Sequence, residues 1–197
     1  MFPKMTEIFK NPVAHGVAKI EHRVITPHES DFSRLRAAIG HSGDYCPAGT
    51  FINLFVNGAL VMSDTKNERD TNYEVVRRAK GNVLIAGLGI GMILHPILAK
   101  PEVLSVTVIE KCADVIALVG PTVKHKKLTI IEGDIYEWKP AKGTKYDCLY
   151  FDIWGDISTD CLKDMAALHQ KFKTYKAKGG WMESWQRDYL KYQNRGW

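Results

Sequence analysis

Apolar and polar positions divide the chain near residue 81. Upstream, Gly16 to Thr26 shows β-branched alternation that predicts a strand, and Ser30 opens an amphipathic pattern through Ile39 that predicts a helix. Thr50 to Ser63 consists of two apolar runs around Asn57-Gly58, a dipeptide that readily takes the positive φ values of a tight hairpin turn. Residues 64 to 70 are polar and read as a turn; Asp70 or Thr71 then caps a helix through Ala79, with Gly81 as its stop. From Asn82 the pattern alternates: strand 82–86, helix 90–99, strand 104–109, helix 112–119, strands 128–132 and 147–152, helix 158–175 and strand 180–184. Such alternation predicts an α/β fold whose mostly parallel sheet is covered on both faces. The expected organisation is an annex over residues 1–81, holding a strand, a helix and a hairpin, followed by the α/β domain over 82–197.

Composition narrows the classes. A chain of 197 residues with 45% hydrophobic content is long enough for a real core. Its longest uncharged apolar stretch, Val83 to Leu94, is broken by glycines and falls short of a bilayer span, and residues 1–7 lack the pattern of a signal peptide, so a cytoplasmic protein without membrane association is expected. Cys46, Cys112, Cys148 and Cys161 are scattered without CxxC pairing, and the seven histidines do not repeat at ligand spacing, so no metal site is expected. Net charge is +5, but the densest basic run, Lys124 to Lys127, sits in a predicted turn with no interleaved aromatics; nucleic acid is not indicated.

The candidate chemistry lies at the predicted carboxyl ends of the strands, where such sheets bind ligands. The first apolar run ends in Gly87, Gly89 and Gly91, glycines that let the backbone turn sharply and approach a ligand with its amides and a helix N-terminus. The second ends in Glu110, 19 residues after Gly91, where an acid reads as a ribose clamp. Asp134 and Asp152 follow the next two strands, and Trp154 and Asp156 stand just beyond. Plainer roles compete at each position: a tight turn without ligand, an exposed strand-end acid, a capping Asp, a core aromatic. A dinucleotide fold wants its third glycine at position 92, which here is Met92.

From about Phe51 to Trp185 the chain resembles the class I S-adenosylmethionine-dependent methyltransferase superfamily, and within it the spermidine synthase-like branch. The resemblance rests on Asn82 to Gly91, on Glu110, on Gly133-Asp134-Ile135, on Tyr146-Asp147 through Asp152, and on the hairpin Leu54 to Ser63 followed by Asn72-Tyr73-Glu74. It implies a Rossmann-like sheet with S-adenosylmethionine as cofactor. Glu110 would accept from both ribose hydroxyls, Asp134 from the adenine amino group with Ile135 against the ring, and Asp152 would position or deprotonate the acceptor. Tyr73 and Glu74 become tentative pocket residues, and Trp154 and Asp156 tentative substrate contacts.

Two departures shape the expectation. The aminopropyltransferase loop carries an Asp where this chain has Ile90, which argues against the decarboxylated cofactor and against polyamine synthesis. Only Trp185 to Trp197 follow the last predicted strand, too little for the terminal antiparallel pair of a full class I sheet. The resulting edge calls for cover by the Gly16–Thr26 strand, by a C-terminal helix or by another subunit, so a homo-oligomer is expected. The sequence thus points to a methyltransferase acting on a small or amine-bearing acceptor, with aminopropyl transfer and a non-catalytic S-adenosylmethionine-binding protein as alternatives.

Overall fold

The computed structural model describes residues 1–38, 45–155 and 158–195. The chain opens with α1 (Met5–Ile8), β1 (Val13–His15), β2 (Ala18–Ile25), α2 (Pro27–Ala38), β3 (Gly49–Val56), β4 (Ala59–Ser63), α3 (Lys66–Thr71) and α4 (Tyr73–Arg78). There follow β5 (Gly81–Ala86), α5 (Leu94–Leu98), β6 (Val103–Glu110), α6 (Ala113–Val119), β7 (Leu128–Glu132), β8 (Tyr146–Phe151), α7 (Cys161–Phe172), β9 (Lys176–Ser184) and α8 (Arg187–Arg195). β1 to β4 form an antiparallel sheet in sequence order, and the remaining strands form a sheet of order β7-β6-β5-β8-β9 in which every pairing is parallel. This is the expected Rossmann-like sheet. Chain order runs outward from β5 to β7 and then returns to β8 on the other side, which opens a crevice at the carboxyl ends beside β5.

Burial explains the central strand: Val83, Leu84, Ile85 and Ala86 are all fully buried, as a strand covered on both faces must be. On one face Val83, Ile85, Val106, Val108 and Tyr150 share a core with helices α4 to α6 and with Ile20, Ile52 and Leu54 of the antiparallel sheet. On the other, Leu84, Ala86, Leu149 and Phe151 meet Leu168 and Phe172 of α7. The antiparallel sheet is further tied to α6 through Asp114, which accepts from the Val17 amide at 2.9 Å and bonds His15 Nδ1 at 2.9 Å. These partners, the Val17 amide foremost, hold the Asp114 carboxyl below its usual range.

Several boundaries differ from the sequence pattern for identifiable reasons. The hairpin turns at Asn57-Gly58 with φ of 52° and 79°, as expected, and carries a bulge between Leu54 and Phe55. The Gly16–Thr26 strand is the second arm of a hairpin, β1 being the first. α2 starts at Pro27 rather than Ser30, because Thr26 and Glu29 cap it reciprocally (Thr26 N to Glu29 Oε2 2.8 Å; Glu29 N to Thr26 Oγ1 3.2 Å) and proline suits the first helical position. Its expected end, Ile39, lies outside the described residues. Residues 64–70 are no turn: α3 occupies Lys66–Thr71, and a break at Asn72 (φ −96°, ψ 0°) separates it from α4. A helix whose surface is charged on nearly every side carries no apolar stripe for periodicity to detect. α5 begins only at Leu94, since Gly91 at φ 75° holds the backbone outside the helical region. The last helix and strand of the alternation are α7 and β9, the latter starting at Lys176 rather than Gly180. The outer strands of the parallel sheet are β7 and β9; β2 pairs with β1 and β3 and so does not cover that edge, while α8 packs against α7.

Candidate ligand-binding cleft

The carboxyl ends of the parallel strands surround a cleft of about 300 Å³, within the size range of small-molecule sites. Its walls are Gly87, Leu88, Gly89 and Met92 after β5, Ile109 to Lys111 at the end of β6, Gly133 to Tyr136 after β7, Asp152 to Gly155 after β8 and Trp185 after β9. The antiparallel sheet contributes Val61 and Met62, and α3 contributes Glu68.

The glycines are required by the protein's own atoms. Gly87, Gly89 and Gly91 have φ of 97°, 51° and 75°. A Cβ at Gly87 would stand 2.1 Å from the Asp152 carbonyl oxygen, one at Gly89 2.4 Å from the Met62 sulfur, and one at Gly91 2.8 Å from Val123 Cγ1. Gly87 and Gly89 line the cleft; Gly91 faces the helical layer instead. The loop does not aim all its amides outward as the sequence suggested. Gly87 N donates to Ile109 O at 2.9 Å, Leu88 N to Glu110 Oε2 at 2.8 Å and Gly91 N to Leu88 O at 3.0 Å.

Glu110, the last residue of β6, therefore clasps the glycine turn: besides Leu88 N it accepts from Cys112 N through Oε1 at 2.8 Å. Each carboxylate oxygen retains a second lone pair for a ligand hydroxyl. Asp134 accepts from Tyr136 N at 2.9 Å and pairs with Lys111 at 2.9 Å, and these partners, the lysine foremost, hold its carboxyl below the usual range. Ile135 beside it is buried, and the backbone there is fixed by Lys171 of α7, whose Nζ donates to Ile135 O at 2.8 Å and Tyr136 O at 2.6 Å.

Asp152 continues the β8 ladder, its amide donating to Ala86 O at 2.9 Å, and its carboxyl makes no hydrogen bond among the described residues. The same cleft is lined by Glu68, which sequence reasoning missed because it lies in the polar stretch read as a turn. α3 is pinned to aim it inward. Arg69 bonds Asp64 Oδ2 at 3.0 Å and Asp64 Oδ1 takes the Ile52 amide at 2.7 Å, while Trp185 Nε1 donates to Thr71 Oγ1 at 3.1 Å and Tyr150 Oη to Asn72 Oδ1 at 3.1 Å. Burial first, and the Glu68 charge second, push the Asp152 carboxyl up to about 8. Burial pushes Glu68 up to about 7, against a hydrogen bond from the Ser63 backbone.

Trp154 lines the cleft as the sequence suggested; Tyr73 and Glu74 do not. Tyr73 is 61% exposed, and Glu74 is bound by Arg77 (2.6 Å) and Arg78 (2.7 Å) on the outer surface of α4, which drives its carboxyl down to about 2. The break at Asn72 puts α3, not the start of α4, over the cleft. Asp156 lies outside the described residues. Lys111, Glu68, Met62, Tyr136 and Trp185 are cleft residues with no motif to announce them; a tryptophan closing the last predicted strand was the one visible hint.

Acids dominate the cleft in a chain of net charge +5: Glu68, Glu110, Asp134 and Asp152 line it, and its one lysine among the described residues, Lys111, is paired with Asp134. No group of metal-ligating side chains occurs among the described residues, and no described helix is long and apolar enough to cross a membrane.

No protein-family model and no curated protein matches the chain. Among solved structures it is similar to the N-methyltransferase NodS from Bradyrhizobium japonicum WM9, at 17% identity over 61% of this chain and 68% of that one, with a TM-score of 0.49. It is similar to CalS10, an amino pentose methyltransferase from Micromonospora echinaspora, at 17% identity over 58% of this chain and 47% of that one, TM-score 0.44. It is also similar to spermidine synthase from Thermotoga maritima, at 14% identity over 68% of this chain and 49% of that one, TM-score 0.49. The chain thus spans about half the length of the last two.

Proposed function

We propose that the protein is an S-adenosylmethionine-dependent transferase, a methyltransferase acting on a small or amine-bearing acceptor. The observation that carries this reading is the pairing, across the central strand, of a carboxylate wired to the glycine turn (Glu110) with an uncommitted carboxyl facing the same cleft (Asp152). Glu110 would take the ribose hydroxyls on its remaining lone pairs, and Ile135, Leu88 and Ile109 offer apolar contact for an adenine ring, with Asp134 at its edge. When bound, the cofactor supplies a methyl group already activated by its sulfonium. The chain's own task is then positioning: Trp154 and Trp185 wall the region beside Asp152, and Asp152 orients the acceptor and takes its proton.

Aminopropyl transfer is the weaker reading, because Ile90 is fully buried in the core and offers nothing to a ligand ammonium. A non-catalytic binding protein is disfavoured by the walled position of Asp152. Residues 1–81 are read as an annex that closes the cleft through Val61, Met62 and Glu68, and the homo-oligomer is proposed to cover the outer strand β9; a monomer in sedimentation at working concentration would remove the oligomer. The functional reading is tested by calorimetric titration with S-adenosylmethionine, its decarboxylated form and NAD in parallel. Preference for the first is expected; preference for the second would restore polyamine chemistry, and binding of none would leave no transferase.

A further inference from the structure

Glu68 and Asp152 reach the same cleft from separate elements, α3 and the tip of β8, and the basic groups on the surrounding elements are engaged elsewhere. Lys66 pairs with Asp70, Arg69 with Asp64, Lys111 with Asp134, and Arg187 with Glu183. Among the described residues, the other titratable groups around the pair bring no positive charge. Tyr150 donates to Asn72 and stays a neutral phenol, Glu183 is held by Arg187 and its own chain's Ser184 amide, and burial keeps His169 neutral down to about 4. Glu110 is tied to backbone amides.

We propose that Glu68 is a positioning residue that acts through Asp152: the two carboxyls form one acidic seat that shares a single proton and exchanges it for the positive group of an organic ligand. Two carboxylates in one partly dry site resist joint ionisation near neutrality until a counter-charge arrives, so the pair titrates as a unit. When a cation settles between them, both ionise and the shared proton leaves to solvent; one positive charge enters as one leaves, and the charge of the seat with its occupant is unchanged. The inference rests on the proposed function only for the source of that cation, the sulfonium of the cofactor or the ammonium of an acceptor.

The test is ¹³C NMR titration of the side-chain carboxyl carbons, assigned with Glu68→Gln and Asp152→Asn. Glu68→Gln lowers the Asp152 midpoint by about half a pH unit or more, the scale of a neighbouring like charge; should that variant fail to fold, Asp152→Asn lowers the Glu68 midpoint in the same way. Millimolar n-propylammonium, or S-adenosylmethionine but not S-adenosylhomocysteine, depresses the wild-type midpoints, and the effective compound assigns the cation as ammonium or sulfonium; n-propanol leaves them in place. Identical Asp152 midpoints in wild type and Glu68→Gln, or no response to either cation, would overturn the seat. Failure of S-adenosylmethionine to bind, with the coupled midpoints and the n-propylammonium response intact, removes the proposed function and leaves the seat standing.

Discussion

The tips of β6 and β8 flank the central strand and end alike, an apolar run closing on one carboxylate, yet the two acids are wired differently. Glu110 gives one oxygen to Leu88 N and the other to Cys112 N, both at 2.8 Å, and so fixes the glycine turn to its neighbour strand. Among the described residues Asp152 is hydrogen-bonded only through its backbone, and its side chain shares the cleft with Glu68, whose charge acts on it. Position on the rim therefore does not decide chemistry; commitment of lone pairs does. A carboxylate already satisfied by amides serves binding and structure, whereas one that is desolvated without donors holds its proton near neutrality and suits proton transfer.

Substitutions at the two tips and in the turn between them separate these roles. The largest effect is expected for Asp152→Asn, which should lower turnover by about 10²–10⁴, far more than it weakens S-adenosylmethionine binding, as read by steady-state rates and calorimetry with an acceptor from an amine screen. An equal loss of affinity would make Asp152 a cofactor ligand like Glu110. Next comes Gly87→Ala: its Cβ meets the backbone oxygen of Asp152, which cannot swing aside, at a φ that L-residues avoid. Urea unfolding should show a loss of about 2–4 kcal/mol, whereas Gly89→Ala should cost less because the Met62 thioether is a flexible end.

Glu110→Ala should cost about 1–3 kcal/mol of stability by stranding two amides, and should weaken cofactor binding as well; unchanged stability would mean that water replaces the carboxylate. The smallest effect concerns pH. Asp152 and Glu68 carry folded-state values of about 8 and about 7, above those of an unfolded chain, so the stability they contribute is full below about pH 4 and is lost as pH rises through 7 to 8. Melting temperature between pH 5 and 9 should fall by about 2–5 °C more in the wild type than in the Glu68→Gln/Asp152→Asn double variant; parallel curves would show that the pair is not desolvated.

Much of this was legible in the chain because it depends on local pattern. The continuous apolar run of β5, the Asn57-Gly58 turn and the strand-end acids follow from burial on two faces and from backbone preference. What was not legible turned on partners remote in sequence. α3 has no apolar stripe and is held by Asp64, Thr71 and Asn72 through bonds to β3, Trp185 and Tyr150, so its polar sequence looked like a turn. Thr26-Pro-His-Glu29 is a cap encoded locally, since the two side chains that close it lie three residues apart.

The α/β alternation, the parallel sheet and the rim on which Gly87, Glu110, Asp134 and Asp152 meet follow from the chain's local pattern, because hydrophobic period and strand-end chemistry are encoded residue by residue. Long-range packing set which carboxylate is satisfied by amides and which is left without donors, that Glu68 rather than Tyr73 or Glu74 lines the cleft with Asp152, and that the glycines yield space to Asp152, Met62 and Val123. Those outcomes depend on desolvation and on hydrogen bonds between segments far apart in the chain, which no local window contains.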